Sequence, residues 1–184
     1  MVLTKTPICN FGEKTHDFHL KGINEKNYKL NDCTGINGTI IMFICNHCPY
    51  VKAIIKDLVN DTNNLIKLGI NSVAIMSNDT KNYPEDSFEN MKLFAEENSF
   101  NFPYLIDETQ EVAKKYGAVC TPHFFGYNGK NELQYRGRIR ELKELRPMRS
   151  GSSELWNAMK MISETQKGPK VQICLLYTSD AADD

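Results

Sequence analysis

Two short segments carry residue types that do chemistry. The first is Cys45-Asn46-His47-Cys48-Pro49-Tyr50, and the second is Cys120-Thr121-Pro122-His123. Proline is favoured at the first position of a helix, which makes Cys48 the N-cap of the segment that follows. Unpaired first-turn N–H groups and the positive end of the helix dipole stabilise an anion there. A cysteine so placed has a lowered pKa, and the thiolate is the nucleophile. Cys45 stands one short loop upstream and is placed to resolve an intermediate on Cys48 by closing a small disulfide. The bland reading makes both cysteines small, half-buried residues at a strand end. His47 is read either as a group tuning the thiol or as an exposed loop histidine. Mixed thiolate and imidazole sets also suit zinc or copper, so a metal-binding module using Cys45, Cys48 and Cys120 with the nearby His47 and His123 is a rival from another class. A third reading keeps the fold as an interaction protein without activity.

The elements that must position these residues follow from hydrophobic pattern. Ile40–Ile44 is a continuous apolar run rich in β-branched residues, the look of a strand buried on both faces. Pro49 to Leu68 has helical period, with Val51, Ile54, Ile55, Leu58, Leu65 and Ile66 on one face and Gly69 as the stop. Val73–Met76 reads as a second buried strand. Pro84 is suited to open a helix with Phe88, Met91, Phe94 and Ala95 inward. Tyr104–Ile106 reads as a short strand and Thr109–Tyr116 as a short helix ended by Gly117. His123–Tyr127 and Leu133–Arg138 flank Asn128-Gly129, a strong hairpin signal. Asp17–Leu20 and Tyr28–Leu30 flank a turn and predict a hairpin near the start. Residues 153–165 predict a last helix, and Ile139–Gly151 a solvated basic loop. The order is α/β, with a mixed sheet. Alternation puts Arg136 and Arg138 on one face, Arg136 solvated and Arg138 a candidate for positive charge near the thiolate. Cys9 and Cys33 read as structural.

The chain has 184 residues, 41% hydrophobic and 24% charged, with a net charge of −1. That balance is too even to suggest a nucleic-acid binder or a chain with an acidic tail. The longest apolar run, Ile40 to Cys45, is far short of the roughly 20 residues of a membrane span. The opening Met1–Pro7 lacks the apolar stretch of a signal peptide, so a reducing cytoplasm is the expected location, where a close cysteine pair is catalytic or metal-binding more often than structural. One domain over residues 1–173 is expected. The final Cys174-Leu175-Leu176-Tyr177-Thr178-Ser179-Asp180-Ala181-Ala182-Asp183-Asp184 resembles a translated sequencing adapter and is read as non-native.

Several stretches together resemble the thioredoxin-like superfamily. Within it they are similar to the redoxins of the AhpC/TSA group, and to peroxiredoxin-like proteins with a Cys-Asn-His-Cys-Pro-Tyr-Val motif. They are Phe43–Ala53, Ser77-Asn78-Asp79, Tyr83–Met91, Phe102–Leu105 with Asp107–Ala113, Cys120-Thr121-Pro122 and Tyr135-Arg136-Gly137-Arg138. The resemblance implies a thioredoxin-like fold with an N-terminal hairpin extension, and Cys48 as nucleophile. It also implies a cis Pro122 facing Cys48, with the Thr121 backbone free to pair with a substrate chain. The implied activity is that of a thiol-dependent antioxidant oxidoreductase without a cofactor. It would act on a small peroxide or a protein disulfide and be reduced by a thioredoxin or glutathione system. The second thioredoxin cysteine falls on Val51, so the pair here is shifted upstream. The Thr or Ser that peroxiredoxins carry three residues before the reactive cysteine is replaced by Cys45.

Overall fold

The apolar run at Ile40–Ile44 enters a seven-stranded sheet and is buried throughout. The computed structural model describes residues 2–5, 9–170, 172 and 175–178. In chain order the elements are β1 (Val2–Lys5), β2 (His19–Gly22), β3 (Asn27–Lys29), α1 (Leu30–Cys33), β4 (Gly38–Phe43), α2 (Pro49–Leu65) and β5 (Ile70–Met76). Then come α3 (Phe88–Glu97), β6 (Tyr104–Ile106), α4 (Glu111–Tyr116), β7 (His123–Asn128) and β8 (Leu133–Gly137). The last are β9 (Leu142–Lys143), β10 (Arg146–Pro147), α5 (Glu154–Thr165) and β11 (Leu175–Thr178). The main sheet runs β3-β2-β6-β5-β4-β7-β8. β4 and β6 lie parallel to β5, and the remaining pairs are antiparallel, so the sheet is mixed as expected.

Side chains alternate across this sheet and divide the core into two layers. Ile40 and Met42 pack with Ile54, Leu58, Met91, Leu155 and Met159 of α2, α3 and α5. Ile41 and Phe43 pack with Leu30, Val112, Tyr116 and Phe125 on the side of α1 and α4. The predicted N-terminal hairpin forms β2 and β3, and β2 extends the sheet by pairing with β6. Among the described residues, no helix is long and apolar enough to cross a membrane.

Four local expectations change. The helix after Pro49 tightens into a 3-10 turn at Ile66–Leu68 before Gly69 closes it at φ 74°, and the turn leaves Ile66 exposed. Pro84 opens only a 3-10 turn, because Ser87 breaks it and caps α3 with its hydroxyl accepting from the Asn90 amide. The Asn128-Gly129 turn widens to Glu132, with Asn131 at φ 58°, and a bulge between Gly126 and Tyr127 resets the register. Ile139–Gly151 is not simply solvated: Ile139 and Leu142 are buried, β9 pairs with β10, and Arg140 Nε lies 3.0 Å from Asp57.

Gln172 lies along β8, donating to the Gln134 carbonyl and accepting from the Arg136 amide. Of the segment read as non-native, Leu175–Thr178 pair with Val2–Lys5 in a separate two-stranded sheet. Residues 171, 173, 174 and 179–184 lie outside the described residues.

Candidate active site

β4 ends at Phe43, and the chain turns through Cys45–Cys48 into α2. Cys48 is the N-cap and Pro49 the first helical residue, as the spacing predicts. Both sulfurs are sheltered, with Cys45 1% and Cys48 4% exposed. As a thiol, Cys48 donates to the Thr121 carbonyl at 3.3 Å. Thr121 also touches the other cysteine, its Oγ1 lying 3.2 Å from Cys45 Sγ. The Thr121–Pro122 bond is cis.

The two cysteines are not equivalent acids. The Cys45 thiol donates to Cys48 and holds that sulfur's pKa well below the ordinary thiol range. Burial opposes the shift, while the Val51 and Tyr50 amides and the Thr121 hydroxyl reinforce it. Cys45 is pushed up instead, first by its hydrogen bond to Cys48 and then by burial. Burial, with the Cys48 charge, pushes Cys120 up to about 12, and burial pushes Cys33 up to about 12. The geometry therefore brings together one thiol of lowered pKa, one adjacent thiol of raised pKa and a loop that touches both.

Asp86 organises the loop between the cysteines, and the sequence reading did not single it out. Its buried carboxylate accepts from the amides of Asn46 (2.8 Å) and His47 (3.2 Å), from Asn78 Nδ2 (2.7 Å) and from His47 Nδ1 (2.7 Å). Asn46 is clamped further by donating to the Glu85 carbonyl and accepting from the Tyr104 hydroxyl at 3.0 Å. The His47 ring stacks on Tyr83, centroids 5.1 Å apart and nearly parallel. The available signal was an acidic pair, Glu85-Asp86, after a proline. Only the fold reveals that one of the two is wholly buried.

The arginines depart from expectation. Arg136 is buried, donating to the Gly117 carbonyl (2.6 Å) and to His123 Nε2 (3.2 Å) and lying over the Phe125 ring. Arg138 is also buried, its Nε and Nη2 on the Glu154 carboxylate at 3.2 and 3.0 Å. They belong to opposite layers because β8 ends at Gly137 and strand alternation no longer relates them. His123 faces the layer of Phe125 and Arg136, not that of the cysteines, and burial lowers its pKa to about 3. The five-residue metal set considered from sequence is thus not assembled as drawn. Cys45 Sγ, a His47 ring nitrogen and an Asp86 oxygen do lie within 4.8 Å of one another. Hydrogen bonds from four groups already occupy that carboxylate, one of them from the imidazole itself.

A structure from Geobacillus kaustophilus, described as an uncharacterized conserved protein, is 37% identical over 96% of this chain and 93% of its own, with a TM-score of 0.89. Peroxidoxin BcpB from Mycobacterium tuberculosis matches at 16% identity, covering 83% of this chain and 92% of its own, TM-score 0.57. The thioredoxin domain of a thiol-disulfide oxidoreductase from Bacteroides vulgatus matches at 16% identity over 68% and 86%, TM-score 0.58. These distant likenesses show the thioredoxin-like fold. No curated protein matches the chain. The AhpC/TSA family profile matches residues 11–142, a span that takes in both cysteine loops and the whole main sheet, and the chain is a member of that family.

Proposed function

We propose that the protein is a thiol-dependent oxidoreductase in which Cys48 attacks and Cys45 resolves. The observation that carries this is Thr121 touching both sulfurs, its hydroxyl 3.2 Å from Cys45 Sγ and its carbonyl 3.3 Å from Cys48 Sγ, with Cys48 at the N-cap position of α2. The Cys48 thiolate attacks one sulfur of a disulfide, and the other leaves with the electron pair of the broken bond. Cys45 then loses its proton and attacks Cys48, releasing the second substrate thiolate and leaving a Cys45–Cys48 disulfide. The substrate gains two electrons. A thiol donor of the thioredoxin or glutathione type returns them to the pair, in a reducing compartment.

A disulfide is the preferred substrate. Attack on it requires a reactive thiolate, a leaving group able to depart and a free backbone to pair with, and Thr121 is the residue for the last. Peroxide reduction is the second reading, favoured by the 4% exposure of Cys48, which suits a small oxidant. There the thiolate would attack one peroxide oxygen, the O–O bond would break with the other oxygen leaving as hydroxide and then water, and Cys45 would displace the sulfenic oxygen as a second water. Arg138 would be the group to polarise the peroxide. The hydroxyl usual three residues upstream is a cysteine here, a weaker donor, and losing one well-placed donor typically costs about 10²–10³ in rate. Stopped-flow mixing of reduced protein with a small disulfide and with hydrogen peroxide tests the ranking. Faster disulfide exchange, lost in Cys48→Ser, is expected. A peroxide rate far above that of a free thiolate and above the disulfide rate would reverse the ranking.

A further inference from the structure

Resolution needs a proton acceptor for Cys45, whose acidity is suppressed first by its hydrogen bond to Cys48 and, when that is lost, still by burial. In the reduced protein the Cys48 thiolate accepts that hydrogen. Once Cys48 is bound to substrate, it has no charge left with which to do so. Thr121 Oγ1 is close at 3.2 Å, but a neutral hydroxyl does not hold a proton taken from a thiol. The Tyr104 hydroxyl is committed as a donor to Asn46. Asp86 lies within 4.8 Å of Cys45, yet its oxygens already accept from two amides, an Asn side chain and an imidazole. That leaves His47. A carboxylate only accepts, so Nδ1 carries the hydrogen of the 2.7 Å bond to Asp86, and Nε2 keeps its lone pair.

We propose that His47, held by Asp86 and stacked on Tyr83, is the general base that takes the Cys45 proton in the resolving step. The inference rests on the reading above, since it needs Cys45 to resolve. A ring nitrogen of His47 lies within 4.8 Å of Cys45 Sγ, a separation that one intervening water would span. The S–H proton passes to the imidazole, and the sulfur keeps the electron pair. That pair forms the bond to Cys48, and the substrate thiolate leaves with the electrons of the old S–S bond. The imidazolium then gives its proton to solvent. Asp86 orients the ring and stabilises the cation, so it is the positioning residue. The groups facing this exchange are Cys48, Asp86, Tyr104 and Thr121.

Quench-flow with peptide mass spectrometry separates the two steps. Reduced protein is mixed with 5,5′-dithiobis(2-nitrobenzoate), whose thiolate leaves without needing a proton. The Cys48 adduct and the Cys45–Cys48 disulfide are then followed individually. His47→Ala is expected to form the adduct at the rate of the unsubstituted protein, and the internal disulfide about 10-fold or more slowly. Added imidazole should restore the second step in His47→Ala and leave the unsubstituted protein unchanged. His47→Gln, which retains a polar planar group, should be equally slow without rescue. A second step as fast as in the unsubstituted protein, or a slow one that imidazole does not restore, overturns the proposal. If the unsubstituted protein forms no Cys45–Cys48 disulfide, it is the underlying assignment of roles that fails.

Discussion

Cys48 owes its acidity to a neighbour three residues away as much as to the helix it caps. The Cys45 hydrogen bond acts first, and the Val51 and Tyr50 amides add to it against the penalty of burial. Cys45→Ala removes that donor and leaves burial less opposed, so the midpoint for alkylation by iodoacetamide should move to higher pH. Each unit of that rise reduces the thiolate roughly tenfold on the acid side of the new midpoint. Alkylation rate against pH reads this directly, and an unchanged or lower midpoint would mean that the helix terminus alone sets the acidity. Thr121 acts at the same scale, its carbonyl on one sulfur and its hydroxyl on the other.

At the scale of elements, α2 and α5 meet through a polar contact in an otherwise apolar layer. Ser153 caps α5 by accepting from the Trp156 amide, and its hydroxyl donates to the buried Asp61 of α2 at 2.5 Å. Burial raises the Asp61 pKa, with the Ser153 bond and Arg140 pulling the other way. The folded carboxyl therefore holds its proton more tightly than the unfolded chain does. The stability this lends is fully present below the unfolded carboxyl pKa and is lost as pH rises through the folded one. Asp61→Asn keeps an acceptor for Ser153 without the charge. In urea titrations its advantage over the unsubstituted protein should grow between about pH 4 and about pH 7. A variant that becomes relatively less stable over that range would show that Arg140 compensates the buried charge.

Across the whole molecule, the sheet separates the paired cysteines from a second buried polar cluster. The cysteines and Arg138 belong with α2 and α5. Arg136 and His123 lie behind the sheet, where the guanidinium ties the C-terminal end of α4 at Gly117 to the β7–β8 hairpin. Arg136→Met keeps apolar volume but strands the partners of those bonds, at a cost of about 1–3 kcal/mol. Cys48 alkylation should be unaltered in the same variant, because the sheet stands between the two layers. A changed alkylation midpoint with unchanged denaturation would place Arg136 in the active site.

What residue types decide within a few positions was legible from the sequence. An apolar β-branched run, a cysteine before a helix-opening proline and glycines at helix ends each have one low-energy local answer, and they located β4, α2 and the cysteine at its N-cap. The cis Pro122 loop was legible only through resemblance. Contacts between distant segments were not legible, because they depend on which strands become neighbours. Asp86 reaches His47 across 39 positions and Thr121 reaches Cys45 across 76, and nothing local marks either as a partner. The two arginines show the same limit at short range. Alternation holds only while a strand lasts, and Gly137 ends β8 one residue before Arg138. Local propensity chose the elements, and the order of strands in the sheet chose which side chains meet.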